Sequence, residues 1–301
     1  MISLIVHGGA WDIPDALVDA HRAGCASALA LGWKLLERGG SAVDAVEQVI
    51  LHLEDNDVFD AGHGSHLNAL GQVELDASIM NGKSLRCGAV AAVHRIKNPV
   101  SLARKIMDES EHILLVGEGA ERFASEHGIP ICNPRELIAA REEALWKSVQ
   151  LDDQYTSKSA FRGNGGADTV GAVALDREGT ICVATSTGGT LNKYPGRVGD
   201  SPLIGCGSYA DNAIGGVSTT GWGEAMIKVV MAKTVIDMMA ANGGKPQAAA
   251  ELGIEFLKRK ADGDGGVIVL NAHGECGVAF NTPRMARAYM TSEMRVPFVA
   301  A

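Results

Sequence analysis

The stretch GADTVGAVALDREGTICVATSTGG, Gly166 to Gly189, constrains the chain more than any other. Two apolar runs flank Asp176-Arg177-Glu178-Gly179-Thr180, which has the pattern of a three-residue hairpin loop with Gly179 left-handed. Strands are expected over 169–176 and 180–187. If Asp176 pairs with Thr180, the same register sets Thr169 opposite Thr187 on one face, with Cβ atoms ~5 Å apart. A one-residue slip would separate them. Cross-strand threonine pairs also serve packing, so the surroundings have to decide. Upstream lies LDDQYTSKSAFRGNGGAD, residues 151–168, which is polar, Gly-rich and without periodicity. It reads as an exposed, flexible linker, the kind of segment where chains are cut. Downstream, Gly188 and Gly189 allow a backbone or ligand to approach closely.

A threonine hydroxyl is a poor nucleophile without a base. At a chain terminus its own α-amino group, with an unperturbed pKa of ~7.7–8, can accept the proton. A cut between Asp168 and Thr169 would therefore turn an ordinary strand residue into a catalytic one. The same hydroxyl can make that cut: it attacks the Asp168 carbonyl, forms an ester, and leaves the ester to water.

Elsewhere the pattern alternates by blocks. Residues 2–6 read as a first strand entering a turn, and 14–38 as a helix closing at Gly39-Gly40. Ser41 opens a second helix with Asp44 at the capping-box position. Residues 55–82 read as loops and short hairpins, followed by a strand in CGAVAAVHRI. Helices are expected over 99–107, 117–127 and 133–150, with a strand at ILLVGE. Past the linker come strands within 203–218, a long helix over 224–241, a shorter one over 246–260, and a final hairpin of 266–271 with 276–281. Strands and helices segregate, which favours an α+β layered fold over simple βαβ alternation.

Net charge is −9, which argues against nucleic acid or an anionic membrane surface as partner. No apolar run approaches the ~20 residues of a membrane span. The start, MISLIVHGGAWD, lacks the basic and long apolar regions of a signal peptide. The six cysteines are scattered, without metal spacing, as expected of a reducing cytoplasm. His63 and His66 have no further ligand nearby in sequence, so loop packing suits them better than a metal.

Further motifs accompany the hairpin: HGGA at 7–10, GGSAVDAVE at 39–47, AGHGS at 61–65, LDASIM at 75–80, NKYPGRVGDSPL at 192–203, YADN at 209–212 and STTGWGE at 218–224. Together they resemble the plant-type asparaginase, or isoaspartyl peptidase, family of N-terminal nucleophile hydrolases. The resemblance covers most of the chain in the family's order. It implies one 301-residue domain with a four-layer αββα sandwich, self-cleaved into residues 1–168 and 169–301 and assembled as a dimer of αβ units. Thr169 matches the nucleophile and Thr187 its supporting threonine. Arg197 and Asp200 match the residues gripping the α-carboxylate and α-ammonium of a small substrate, in keeping with bidentate Arg–carboxylate pairing. Thr220 and Gly221 match the oxyanion hole. Residues Leu53, Glu54, Asn56, Phe59, Ala61 and His63 resemble a loop that binds a structural sodium ion through backbone carbonyls; no cofactor is implied for catalysis.

Two departures stand out. Asp60 occupies a place near the nucleophile where relatives commonly carry asparagine, and Trp222 one that is often smaller or more polar. The implied activity is hydrolysis of L-asparagine and β-aspartyl dipeptides. Alternatives are a glycosylasparaginase-like amidase, which the Asp168-Thr169 junction resembles, and a non-catalytic aspartate-binding relative. A threonine protease fits less well, because a clamp for a free amino acid would exclude internal peptide segments. GNGGAD precedes a strand and not the helix a phosphate loop needs.

Overall fold

The structure, a computed structural model, describes residues 1–152, 154–158 and 169–301. In chain order come β1 (Ser3–Trp11), α1 (Asp15–Glu37), α2 (Ala42–Glu54), β2 (Leu75–Asn81), β3 (Cys87–Val93), α3 (Pro99–Glu109), β4 (Leu114–Val116), α4 (Gly117–Glu126), a 3-10 turn (Pro134–Leu137) and α5 (Ala140–Val149). There follow β5 (Val170–Leu175), β6 (Ile181–Thr187), β7 (Ser208–Asp211), β8 (Gly215–Gly221), α6 (Gly223–Lys228), α7 (Met231–Ala241), α8 (Pro246–Ala261), β9 (Gly265–Asn271), β10 (Cys276–Phe280), β11 (Arg284–Thr291) and β12 (Phe298–Ala300).

Among the described residues an eight-stranded sheet runs β12-β11-β1-β5-β6-β2-β3-β4, and a four-stranded sheet β10-β9-β8-β7. Strand alternation explains the layering. Leu4, Val6, Ala172 and Ala174 face α1–α3, while Ile5, Val173, Val183, Ile268 and Leu270 meet between the two sheets. Val217, Val267 and Val269 point the other way, against α7 and α8. The result is the expected α+β sandwich with layers in the order α, β, β, α. Among the described residues no helix is long and apolar enough to cross a membrane.

The β5–β6 hairpin has the expected register, with Val170 opposite Ser186 and Leu175 opposite Ile181. Gly179 takes a φ of 76°, which closes the loop. At α2, Ser41 Oγ accepts the Asp44 N–H and donates to the Asp44 carboxylate. Other expectations fail for local reasons. The first strand does not turn at His7 but runs on to Trp11, absorbing HGG as a bulge with Gly9 at a φ of 96°. The helix expected over 133–150 is two pieces, because Ile138 and Ala139 are extended between the 3-10 turn and α5. The one expected over 224–241 breaks at Val230, which is left-handed. There the carbonyls of Cys206 and Gly205 accept the N–H groups of Ala232 and Lys233, so a neighbouring loop completes the first turn of α7. The 266–281 hairpin forms but is not final: β11 follows and pairs with β1. The segment read as a linker lies largely outside the described residues, and so does Asp168.

Candidate active site

The threonines singled out by the hairpin register meet. Thr169 Oγ1 donates to Thr187 Oγ1 at 3.3 Å, and both residues are buried. By alternation both belong to the inter-sheet face, as does Thr220 on β8. Thr187 Oγ1 also accepts the Gly189 N–H at 2.9 Å. Gly189 then links the threonines to the next group: a Cβ on it would stand 2.9 Å from Lys193 Nζ and 3.4 Å from Arg197 Nη1.

Arg197 lies in the loop between β6 and β7, its guanidinium held in a two-point pair with Glu224, Nε and Nη2 each at 2.8 Å from a carboxylate oxygen. Asp200 is buried beside it, and its Oδ2 accepts the Thr219 hydroxyl at 2.7 Å. Burial pushes the Asp200 carboxyl up to about 6, although Thr219 and Arg197 oppose this. Gly223 faces both groups, since a Cβ there would come within 2.9 Å of Arg197 Nη2 and of Asp200 Oδ1. Arg197 and Asp200 thus share one small space, with the arginine's charge balanced by Glu224. Asp76 adds a second buried carboxylate. It lies opposite Thr187 across β2–β6, and Lys193 and Arg197 act on it electrostatically.

Thr220 Oγ1 accepts the Ala10 N–H at 3.3 Å, which leaves its own proton to donate elsewhere. Gly221 has a φ of 139°, and a Cβ would strike the Asp264 carbonyl at 2.4 Å, so the backbone here requires glycine. Trp222 is partly buried and packs against the core under α7 and α8.

A polar chain runs beneath the head of β5. His7 Nε2 lies 2.8 Å from Ser218 Oγ, which lies 3.0 Å from Thr185 Oγ1. Burial pushes the His7 imidazole down to about 3, so it is neutral. Gly171, two residues after Thr169, makes room for this chain; a Cβ would fall 2.1 Å from Ser218 Oγ and 2.2 Å from His7 Nε2.

Residues 53–63 close on themselves beside the site. The carbonyls of Leu53, Glu54 and Asn56 accept the N–H groups of Asn56, His63 and Phe59. The Glu54 carboxylate serves the start of α3 instead, accepting from Val100 N–H and Asn98. Each carbonyl keeps a second lone pair, the neutral oxygen donor that suits a hard monovalent cation. Asp60 ties the loop to the hairpin, its carbonyl accepting the Gly188 N–H at 3.0 Å. His63 Nδ1 contacts the Glu136 carbonyl and His66 pairs with Glu142, as loop-packing histidines do.

The fold therefore links Thr169, Thr187, Arg197, Asp200 and Asp60 through Gly188, Gly189 and Gly223, and sets Thr220 on the same inter-sheet face. It adds Glu224, Asp76, His7 and Ser218, which sequence reasoning did not single out. Glu224, Asp76, His7 and Ser218 sit inside quoted motifs, but their partners lie far off in sequence.

The asparaginase family model matches residues 1–298. An isoaspartyl peptidase/L-asparaginase of Xenopus laevis is 44% identical over 95% of this chain and 91% of its own length. A plant-type L-asparaginase of Pyrococcus horikoshii is 43% identical over 99% of both chains. The isoaspartyl peptidase/L-asparaginase of Homo sapiens is 43% identical over 90% of this chain and 87% of its own.

Proposed function

The chain belongs to the asparaginase family, and on that premise we propose that it is a self-processed threonine hydrolase releasing L-aspartate from L-asparagine and β-aspartyl dipeptides. The contact of Thr169 with Thr187 at 3.3 Å, at the predicted register, carries the reading. Thr169 cuts the chain after Asp168 by an N-to-O acyl shift and hydrolysis, giving residues 1–168 and 169–301. The freed α-amino group then takes the hydroxyl proton as Thr169 attacks the substrate's side-chain carbonyl. Thr187 O–H donates to the Thr169 oxygen as its proton leaves. The Thr220 hydroxyl and the Gly221 N–H hold the oxyanion. Ammonia or an amino acid departs with the returned proton, and water releases aspartate from the ester.

Arg197 takes the α-carboxylate and Asp200 the α-ammonium; Glu224 keeps the guanidinium plane oriented for two-point binding. A clamp for free α-groups favours small substrates over internal peptide segments. A sodium ion held by the carbonyls of Leu53, Glu54, Asn56, Phe59, Ala61 and His63 would stiffen the loop that carries Asp60. We place the working enzyme in the cytoplasm, supported by six free thiols, and as a dimer of αβ units.

Aspartate release tests the reading. The protein should release aspartate from L-asparagine and β-aspartyl-leucine. Release from a glycosylated asparagine alone, or aspartate binding in a calorimeter without any turnover, would replace it.

A further inference from the structure

Asp60 is a carboxylate in a dry place. It is 2% exposed, and a Cβ on Gly188 would come within 2.3 Å of its Oδ1. Gly188 directly follows Thr187, so the carboxylate abuts the end of the β5–β6 hairpin. A buried charge costs several kcal/mol unless opposite charge and hydrogen bonds offset it. Here His66 contributes to that offset and is itself fixed by Glu142. Asp60 Oδ1 accepts the His66 backbone N–H at 2.7 Å, and its Oδ2 lies 4.0 Å from His66 Nε2. The other ring nitrogen, Nδ1, is 2.5 Å from Glu142 Oε2 on α5. Arg141 contacts the second Glu142 oxygen at 2.8 Å and donates to the Val58 carbonyl at 3.3 Å. The Asp60 charge acts on the Tyr155 hydroxyl, which donates to the Leu191 carbonyl at 3.3 Å. Burial works against the His66 imidazolium, but Asp60 and Glu142 outweigh it and hold its pKa at about 9. Asp60, His66, Glu142 and Arg141 therefore form a charge-balanced row, two acids and two bases.

We propose that His66 and Glu142 are positioning residues, a fixed-charge support that holds the Asp60 carboxylate against Gly188 and so keeps the Thr187 end of the hairpin in place for chain cutting and hydrolysis. This rests on Thr169 as the nucleophile. A merely structural tie between α5 and the loop would involve the same contacts but would not depend on the charge of Asp60. Asparagine at position 60 keeps the shape and the acceptor for the His66 N–H, yet needs no counter-charge.

The test compares the parent with His66→Gln, Asp60→Asn and the double variant. Two readouts are followed: the rate of chain cutting by intact mass, and kcat and KM of the cut protein on L-asparagine. His66→Gln should slow cutting and lower kcat on the order of tenfold, with KM changed less than about threefold. In the Asp60→Asn background the same change should cost less than about threefold. An equal penalty in both backgrounds, or none in the parent, overturns the proposal. If His66→Gln fails to fold, a folded, self-cutting double variant still supports the coupling, and an unfolded double overturns it. Thr169→Ala is run alongside. If it stays uncut while His66→Gln behaves as the parent, only the charge support fails; if Thr169→Ala is cut, the nucleophile reading fails by itself.

Discussion

Removing one oxygen atom from Thr187 separates its chemical from its packing role. Thr187→Val keeps the shape of a buried β-branched side chain. The lost Oγ1 accepts from the Thr169 hydroxyl at 3.3 Å and from the Gly189 N–H at 2.9 Å. In the resting protein the first is long and contributes little. When Thr169 gives up its proton, the Thr187 hydroxyl becomes a donor to developing negative charge, worth about 1.5–3 kcal/mol. At ~1.4 kcal/mol per decade, kcat and the rate of chain cutting should fall roughly ten- to hundredfold. The second interaction predicts a separate stability loss, because the Gly189 N–H loses its acceptor at a cost of about 1–3 kcal/mol. The melting midpoint should drop by several degrees. Cutting is followed by intact mass, and ammonia release is normalised to the cut fraction. KM for L-asparagine should hold, since Arg197 is untouched. Cutting and turnover within about threefold of the parent would refute the argument from the threonine pair.

Other outcomes follow from the same geometry. Arg197→Gln should raise KM for L-asparagine on the order of a hundredfold while the chain still cuts itself, because the cut involves no free α-carboxylate; an uncut variant would mean that Arg197 acts in processing. Gly171→Ala drives a Cβ into Ser218 and His7, and should lower the denaturation free energy by about 2–4 kcal/mol in a denaturant titration; an unchanged midpoint would deny the buried His7–Ser218–Thr185 chain. Asp200, pushed up to about 6, must ionise to bind an ammonium, so KM should rise as pH falls through that value, and Asp200→Asn should remove this limb from the pH profile. The folded protein keeps the Asp200 proton after the unfolded chain has lost it, so this group's contribution to stability shrinks as pH rises from about 4 to 6.

What the sequence disclosed depended on range. The β5–β6 register was legible because turn chemistry at 176–180 and strand period are local, and both point to the same pairing. The N-cap at Ser41 was legible for the same reason. The break at Val230 was not, because the acceptors that permit it belong to Gly205 and Cys206. Strand β11 escaped notice because RMARAYMT mixes charge with apolar residues; Arg287 rests over the Phe280 ring at 5.0 Å, an environment created only by the fold. In the site, Thr169, Thr187, Arg197 and Asp200 came from motifs and lie linked through Gly189 and Gly223, with Thr220 on the same inter-sheet face. The Glu224 partner of Arg197 and the His66–Glu142 support of Asp60 depend on pairs 27 and 76 residues apart. A single sequence gives no sign of which distant charges will meet.

On this reading Thr169 becomes a chain terminus and the nucleophile. Intact-mass measurement of freshly purified protein under denaturing conditions tests it most directly, with Thr169→Ala measured beside it. Two species are expected for the parent, 1–168 and a second beginning at Thr169, and one full-length species for the variant. A parent that stays full length yet hydrolyses L-asparagine, or a variant cut at the same bond, would contradict it.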